Sequence, residues 1–424
     1  MAQPDSAEPH WLSDGFEHIW LPYAQMKTAQ RPLPVVASSG SRLTLADGRV
    51  LIDGIASWWT ACHGYNHPHI AEAVRAQLAQ MPHVMFGGLA HEQAYRLAAR
   101  LSALLPGDLE RVFFTESGSV AVEVAMKMAL QYWMNQGVCG RTKMLSFRGG
   151  YHGDTLATMA VCDPEEGMHT KFAGILAQHV IADLPIDDAS LAALRAVLEQ
   201  HHRSLAAILV EPRVQGAGGM VFHHDAVLRQ LRALADEFGL LLIFDEIFTG
   251  FGRTGDLFAC TGAGVLPDIV TLSKALTGGT LPLAATIARR HVFEAFWSDD
   301  GDAALMHGPT FMGNALACAA ANASLDLFER EPRLAQVAAI ETALMQGLAP
   351  CRHLPHVRDL RVKGAIGVVE LDEGADLRAI QQALLARGVW VRPFRTIVYL
   401  TPAFTIAQDE LATLTAAVVG ALKA

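Results

Sequence analysis

Short apolar runs that end in acidic residues recur along the middle of the chain, at residues 206–210 and 240–244, and a third, mostly apolar run lies at 268–272. Uninterrupted apolar runs of this length, bounded by Gly and polar residues, are typical of strands buried inside a parallel sheet. Stretches with helical periodicity lie between such runs, for example at residues 120–133. The alternation predicts a large, doubly wound, mostly parallel α/β domain.

Two flanking segments have a different pattern. Near the start, Asp47 and Gly48 form a hairpin signal between alternating apolar positions. Beyond about residue 330, the pattern predicts strands at 362–371, 389–392 and 397–400, a helix at 375–387, and a last helix that begins at Thr405. We therefore expect an N-terminal segment over 1–65, a large domain over 66–329, and a small α/β domain over 330–424 that the N-terminal segment completes.

An acid and a lysine follow two of the predicted central strands. Asp245 comes directly after the run at 240–244, and Lys274 follows the run at 268–272. Because ligands bind beyond the carboxyl ends of parallel strands, both are expected to face one pocket. Such a pair suits pyridoxal phosphate (PLP), whose aldehyde forms a Schiff base with an amine and whose ring nitrogen pairs with a carboxylate. Taken alone, a helix-capping acid and an exposed lysine are the commoner interpretation.

Composition narrows the class of partner. The 424 residues are 51% hydrophobic and 18% charged, which is typical of a globular protein, and the formal charge is −10 with a pI near 6.0. An acidic balance argues against nucleic acid or an anionic membrane as the partner. The scattered cysteines, the lack of a secretory leader and the lack of a long apolar stretch predict a cytoplasmic protein with reduced thiols.

Several loops carry candidate binding residues. The turn Ser117-Gly118-Ser119 precedes a predicted helix, so it could hold a phosphate at the helix N-terminus or simply cap the helix. Tyr151 lies among glycines, where an aromatic ring can project into a cleft and stack on a flat cofactor. The adjacent Trp58 and Trp59 indicate either core packing or the wall of a substrate pocket.

The histidines at 63, 67 and 69 have a spacing that suggests a metal site at first sight. Pro68 interrupts that spacing, which does not match the common spacings of zinc ligands. We therefore predict no metal.

The order of these motifs resembles the class III, fold-type-I PLP-dependent aminotransferases over nearly the whole chain. The resemblance implies that Lys274 carries the cofactor and moves a proton, that Asp245 pairs with the ring nitrogen, and that Tyr151 stacks near the ring. It also implies that Gly118 and Ser119 hold the cofactor phosphate. Pro309 and Thr310 would reach the same phosphate from a neighbouring subunit, so the active sites would be shared within a homodimer.

The resemblance also implies the substrates: S-adenosylmethionine as amino donor and 8-amino-7-oxononanoate as acceptor, in a step of biotin biosynthesis. The residues matching the substrate cavity are Tyr23, Trp58, Tyr151, Lys274, Gly308 and Arg392. Arg392 would receive the distal carboxylate, with Arg253 and Arg395 as rival candidates. Glu211 stays outside the predicted catalytic set, because Arg213 follows it where an apolar residue is more usual.

Other functions remain open at this stage. The nearest is an aminotransferase of the same fold that uses lysine or another ω-amino substrate. A PLP aminomutase or racemase, and a binding protein on a degenerate fold, are more distant alternatives. A dinucleotide-binding oxidoreductase is disfavoured, since no convincing G-x-G-x-x-G follows the first strand.

Overall fold

A computed structural model describes residues 8–164 and 170–423. The sequence predicts no secretory leader at the start of the chain, and residues 1–7, on which that prediction rests, lie outside the described ranges. Among the helices of the described ranges, none has both the length and the apolar character that crossing a membrane requires.

The secondary structure of the described residues alternates between strands and helices through the middle of the chain. The strands are β1 (Val35–Ser39), β2 (Arg42–Leu45), β3 (Val50–Asp53), β4 (Leu109–Thr115), β5 (Lys143–Phe147), β6 (Val180–Ala182), β7 (Leu205–Val210), β8 (Val214–Gln215), β9 (Val221–Phe222), β10 (Leu241–Asp245), β11 (Ile269–Leu272), β12 (Ala284–Arg289), β13 (Val357–Lys363), β14 (Ile366–Leu371), β15 (Val389–Trp390) and β16 (Ile397–Leu400). The helices are α1 (His10–Phe16), α2 (Ala56–Trp59, a single left-handed turn), α3 (Pro68–Gln80), α4 (Glu92–Leu104), α5 (Gly118–Asn135), α6 (Leu156–Met159), α7 (Asp188–His201), α8 (Asp225–Glu237), α9 (Ala259–Ala263), α10 (Arg290–Glu294), α11 (Ala315–Arg330), α12 (Arg333–Leu348), α13 (Leu377–Ala386) and α14 (Gln408–Leu422).

The large sheet has the strand order β4-β12-β11-β10-β7-β5-β6. Its strands run parallel except for β12, which pairs antiparallel with both β11 and β4. The central strands β7, β10 and β11 are buried along their whole length, as expected for strands covered on both faces. The predicted α/β architecture with a mostly parallel sheet is therefore confirmed.

Alternate side chains of β10 pack on opposite faces of this sheet. Leu242 and Phe244 join a core cluster that contains the apolar face of α8. Ile243 joins a second cluster, which α5 contributes from the other side. Because successive side chains of a strand point to opposite faces, the uninterrupted apolar run is what a strand between two helical layers requires.

The N-terminal and C-terminal parts of the chain meet in a smaller sheet. Its order is β1-β2-β3-β15, and β15 runs parallel to β3 with Trp390 opposite Asp53. A further sheet, β13-β14-β16, is antiparallel and packs against α12. The boundaries predicted at residues 65 and 329 remain a prediction.

Two predicted elements near the C-terminus differ from the structure. Residues 362–371 form no single strand: the chain turns between β13 and β14, because Gly364 adopts a φ of +53° and a Cβ there would lie 2.5 Å from the Arg253 carbonyl oxygen. The last helix begins at Gln408 rather than Thr405. The Glu410 side chain accepts a hydrogen bond from the Ala407 backbone N–H, at 3.4 Å, and this stabilises the first turn.

Candidate active site

Neighbouring strands of the large sheet deliver an acid and a lysine to one cavity. β10 ends at Asp245, and the parallel strand β11 places Thr271 opposite it. Lys274 follows β11 with a left-handed φ of 44°. Both side chains line a cavity of about 530 Å³. The structure therefore brings together the pair that the strand pattern predicts.

Hydrogen bonds on both oxygens fix the carboxylate of Asp245. His152 Nδ1 lies 2.8 Å from Oδ2. On the other side, Oδ1 accepts hydrogen bonds from Thr271 Oγ1 and from the Ile247 backbone N–H, each at 3.2 Å. A buried carboxylate needs such partners to remain charged. The arrangement therefore fixes the orientation of the Asp245 carboxyl group at the cavity.

The amine of Lys274 is surrounded by protein except where its side chain faces the cavity. Burial lowers the pKa of Lys274 from its ordinary value of 10.5, although the carboxylates of Asp245, Glu211 and Asp154 oppose this shift. Its Nζ lies 5.3 Å from the ring centroid of Trp59. A lowered pKa favours the neutral amine, which is the form that acts as a nucleophile or a base.

The N-terminus of α5 opens at the same cavity. Ser117 is the N-cap, and its side chain accepts a hydrogen bond from the Val120 backbone N–H at 3.4 Å. Ser119 Oγ accepts one from the Asp154 backbone N–H at 3.2 Å. Gly118 is closely packed, since a Cβ there would lie 3.0 Å from the Ile247 side chain. A helix N-terminus with free backbone N–H groups is a favourable site for a phosphate.

Tyrosine hydroxyls line another side of the cavity. Tyr23 donates a hydrogen bond to Asp154 Oδ2 at 2.5 Å, and its hydroxyl lies 3.3 Å from that of Tyr151. Burial raises the pKa of Tyr151, and its contacts with Tyr23 and Asp154 raise it further. The tyrosines therefore remain protonated at neutral pH.

Glu211 lies closer to this site than its exclusion from the predicted catalytic set implies. It lines the cavity, and its carboxyl group accepts hydrogen bonds from the Tyr151 backbone N–H at 3.0 Å and the Gly216 N–H at 3.1 Å. Burial raises the pKa of Glu211 to about 7. Its carboxyl group therefore tethers the backbone of the Tyr151 loop to the strand connection that follows β7.

Aromatic and basic side chains form the remaining wall. Trp58 meets Tyr23 edge to face, with ring centroids 6.2 Å apart. The Arg392 guanidinium lies 5.2 Å from the centroid of the Trp58 ring. Arg395 also lines the cavity. An apolar wall with few positively charged groups suits a substrate that has an alkyl chain and a terminal carboxylate.

Arg253, the third candidate arginine, lies away from this wall. It is 1% exposed and donates hydrogen bonds to the carbonyl oxygens of Pro402 at 2.8 Å and Ala365 at 3.2 Å. Its guanidinium also stacks over Phe404. These contacts join the large sheet to the C-terminal part of the chain, so the structure gives Arg253 a structural position instead of a place in the cavity.

The segment from Gly308 to Thr310 lies outside the residues that line the cavity. Gly308 and Thr310 are exposed, and His83 Nε2 lies 3.1 Å from the Thr310 carbonyl oxygen. The structure therefore does not bring these residues to the Lys274 of their own chain.

The sequence analysis missed His152 and left the role of Trp59 open between core packing and a pocket wall. His152 is the residue next to Tyr151, and it pairs with Asp245 although the two are far apart in sequence. Trp59 was read together with Trp58, but its ring faces Lys274 and packs on Phe248 with centroids 5.1 Å apart. The adjacency to Tyr151 was the available signal for His152, whereas the pairing itself depends on the tertiary structure.

The model of the family described as "Aminotransferase class-III" matches residues 23–422. Relatives named adenosylmethionine-8-amino-7-oxononanoate aminotransferase include one from Mycobacterium leprae, 48% identical over 95% of this chain and 94% of its own length. Another, from Corynebacterium glutamicum, is 44% identical over 96% of this chain and 97% of its own length.

Solved structures show the same similarity. The enzyme of that name from Methanocaldococcus jannaschii superposes with a TM-score of 0.93 at 31% identity, covering 97% of this chain and 98% of its own. An amine transaminase from an uncultivated Pseudomonas species, in a PLP-bound form, superposes with a TM-score of 0.89 at 32% identity, covering 96% of this chain and 98% of its own.

Proposed function

Because the chain belongs to the class-III aminotransferases, we propose that it transfers the amino group of S-adenosylmethionine to 8-amino-7-oxononanoate, giving 7,8-diaminononanoate for biotin. The observation that carries this proposal is the 48% and 44% identity, over nearly the full chain, to relatives named for that activity. The cavity agrees with it, because one arginine-bearing aromatic wall faces the buried Lys274.

The residues present fit pyridoxal phosphate. The cavity combines a helix N-terminus for a phosphate, a buried carboxylate for a ring nitrogen and a buried amine for an aldehyde. Gly118 and Ser119 would hold the phosphate, and the Tyr151 ring would lie against the cofactor ring. When bound, the cofactor supplies an aldehyde that takes up an amino group and a ring that accepts electrons from the substrate carbon.

Lys274 and Asp245 would divide the proton chemistry between them. The amine of Lys274, which burial favours in its neutral form, would act as the base that takes a proton from the substrate carbon and as the acid that later returns it. Asp245 would pair with the ring nitrogen of the cofactor, and His152 together with Thr271 would orient that carboxylate.

Arg392 and the aromatic wall would bind the acceptor. The guanidinium offers a fork of donors to the terminal carboxylate, while Trp58 and Tyr23 supply apolar surface for the alkyl chain and for the adenine of the donor. Two unlike substrates would use the same wall in turn. Because the first product would leave before the acceptor binds, with the amino group kept on the holoenzyme, we expect ping-pong kinetics.

A second subunit would complete each site. The segment with Gly308, Pro309 and Thr310 lies away from the cavity of its own chain, and large apolar side chains beside it are exposed: Met306 at 79%, Phe311 at 55%. Exposed apolar surface of this kind favours burial against another copy. We propose a homodimer in which this segment reaches the cofactor phosphate and, through Gly308, the substrate of its partner.

The site of action would be the cytoplasm. All six cysteines are free thiols, and five of them are buried. Free thiols persist in reducing compartments.

The chief alternative is another amino donor on the same scaffold. The similarity to an amine transaminase favours this alternative over any other chemistry. It would keep Lys274 and Asp245 but would place a different substrate against the arginine-bearing wall.

Spectroscopic half-reactions decide between the donors. The purified holoenzyme is mixed with S-adenosylmethionine, lysine or β-alanine, without an acceptor, and the visible absorbance of the bound cofactor is followed. The proposal expects a loss of that absorbance with S-adenosylmethionine and recovery after 8-amino-7-oxononanoate is added. A loss with lysine or β-alanine alone would establish the alternative.

Covalent trapping tests the role of Lys274 separately. Borohydride reduction of the holoenzyme, followed by peptide mapping, should place a pyridoxyl group on Lys274. Lys143→Ala is the matched control, because Lys143 begins β5 outside the residues that line the cavity. A label on any other lysine contradicts the assignment.

A further inference from the structure

Four consecutive residues beside the cavity adopt left-handed backbone conformations, although none of them is glycine. The φ angles are 45° at Ala56, 46° at Ser57, 55° at Trp58 and 70° at Trp59. Hydrogen bonds from Trp59 N to Ile55 O and from Thr60 N to Ala56 O, each 2.9 Å, close the turn. Each such residue is strained, because its Cβ crowds the backbone. Other contacts must therefore hold the turn.

Asp53, at the end of β3, supplies the main contacts. Its Oδ1 accepts a hydrogen bond from the Ile55 N–H at 2.8 Å, and its Oδ2 accepts one from the Ser57 N–H at 3.1 Å. The side chain is buried at 2% exposure. One carboxylate thus binds the backbone on both sides of Ala56, where the left-handed run begins.

Tyr65 braces this carboxylate from a separate loop. Its hydroxyl donates to Asp53 Oδ2 at 2.5 Å and lies 2.5 Å from Ser57 Oγ. The Tyr65 backbone is itself fixed, since its N–H donates to the Gly40 carbonyl oxygen at 2.7 Å. The hydroxyl therefore links the carboxylate and the turn to the N-terminal sheet.

The turn presents both tryptophans to the cavity. Trp59 packs on Phe248 and faces the Lys274 amine, and Trp58 lies between Tyr23 and the Arg392 guanidinium. The same strand end also bonds the segment that carries Arg392, because the Gly54 N–H donates to the Trp390 carbonyl oxygen at 2.9 Å. A relaxed turn would move the aromatic wall relative to the arginine.

We propose that Asp53 and Tyr65 are positioning residues for substrate binding, which hold the strained turn so that Trp58 and Trp59 form the wall opposite Lys274. This inference rests on the proposed function for the identity of the substrate that the wall contacts. Neither residue lines the cavity, so their effect on the reaction passes through the tryptophans.

The first test compares Asp53→Asn and Tyr65→Phe with the wild-type holoenzyme. The Asp53 carboxylate accepts three hydrogen bonds, whereas asparagine has only one side-chain oxygen to accept them. We therefore expect the turn to relax in Asp53→Asn and KM for 8-amino-7-oxononanoate to rise about tenfold. Tyr65→Phe removes the hydroxyl contacts with Asp53 and Ser57 and should raise KM about fivefold. In both variants, kcat should stay within about twofold of the wild-type value and the visible cofactor spectrum should be unchanged, because Lys274 and Asp245 are not altered.

The second test is rescue by glycine. Glycine adopts left-handed angles without the Cβ penalty, so Asp53→Asn combined with Ser57→Gly should return KM most of the way to the value of Ser57→Gly alone. A residue that acted only through burial or folding would gain nothing from glycine at position 57. Tyr132→Phe, the same substitution in α5 outside the residues that line the cavity, is the control for the loss of a hydroxyl.

Near-ultraviolet circular dichroism of the tryptophans separates this inference from the proposed function. The tryptophan signal should change in Asp53→Asn and Tyr65→Phe and return in the double variant, whichever substrate the enzyme uses. A wild-type holoenzyme inactive with both proposed substrates overturns the proposed function alone. An unchanged tryptophan signal, an unchanged KM in Tyr65→Phe, or a lack of rescue overturns the positioning role.

Discussion

His152 and Asp245 form a buried pair, with Nδ1 2.8 Å from Oδ2 and each residue 3% exposed. A ring nitrogen can donate a hydrogen bond to a carboxylate only when it carries a proton, so the pair requires a proton on Nδ1. The second oxygen of Asp245 is occupied by Thr271 and the Ile247 backbone. The histidine therefore helps to orient the carboxylate that we assign to the cofactor ring nitrogen.

Replacing this histidine should weaken catalysis while the cofactor remains bound. We expect His152→Phe to lower kcat about tenfold or more, which corresponds to the loss of one hydrogen bond to a charged group. The visible spectrum of the holoenzyme should change as well, because the protonation of the cofactor ring depends on Asp245. Steady-state kinetics and absorbance spectra measure both effects.

His69→Phe is the matched control for this substitution. His69 Nε2 lies 2.8 Å from Asp326 Oδ2, the same distance, but the pair is outside the residues that line the cavity. The control should leave kcat and the spectrum unchanged. Equal losses in the two variants would show that the His152 pair acts through stability alone.

The sequence predicted the ends of the central strands well, and these ends position most of the site. The apolar run before Asp245 is typical of a buried strand, and parallel pairing with the next strand then places Lys274 at the same sheet edge. The start of α5 at Ser117 and Gly118 was also predictable, because a turn of small residues before an apolar helical pattern marks a helix N-terminus.

Other features depend on contacts between distant parts of the chain. The left-handed run at Ala56 contradicts local propensity and exists because Asp53 and Tyr65 bind it. The hairpin turn at Gly364 depends on its close approach to the backbone at Arg253. Neither feature is encoded in the local sequence pattern, so an analysis that takes the chain segment by segment misses both.

The two arginines that line the cavity should differ in their effect on acceptor binding. Arg392 lies over Trp58, so we expect Arg392→Ala to raise KM for 8-amino-7-oxononanoate about tenfold to a hundredfold, the loss of charge-assisted hydrogen bonds. Arg392→Lys keeps the charge but loses the planar fork, and should recover only part of the affinity. Initial rates at varied acceptor concentration give both values.

Arg395→Ala is the comparison, because Arg395 lines the same cavity. It should raise KM for the acceptor less than Arg392→Ala does. A larger effect at Arg395 would transfer the carboxylate to that arginine and contradict our assignment.

The buried carboxyl group of Glu211 should impose a pH dependence on stability. Burial raises its pKa from 4.5 to about 7. Between these values the folded protein retains a proton that the unfolded chain has lost, so this group lowers the free energy of unfolding as pH rises. The full effect is on the order of 3 kcal/mol. Glu211→Gln cannot titrate, so relative to wild type it should gain stability between pH 4.5 and about 7.

Urea unfolding across this pH range measures the difference. Glu237→Gln provides a control of opposite sign, because the hydrogen bonds from Arg195 lower the pKa of Glu237. That contribution is present at neutral pH and is lost as pH falls. If Glu211→Gln and wild type kept parallel stability curves, Glu211 would have an ordinary pKa in the folded protein.

A hybrid dimer tests whether the segment around Thr310 completes the site of its partner. Lys274→Ala removes the amine, and Thr310→Asp places negative charge where the cofactor phosphate would bind, so each homodimer should be nearly inactive. Co-expression with two affinity tags isolates the hybrid.

If Thr310 acts across the interface, one of the two sites in the hybrid has both residues intact, and the hybrid should show about half of the wild-type activity. If Thr310 acts within its own chain, every site carries one lesion and the hybrid stays inactive. A hybrid of Lys274→Ala with Lys274→Arg is the control, since both lesions are at one position and no arrangement of subunits restores a site.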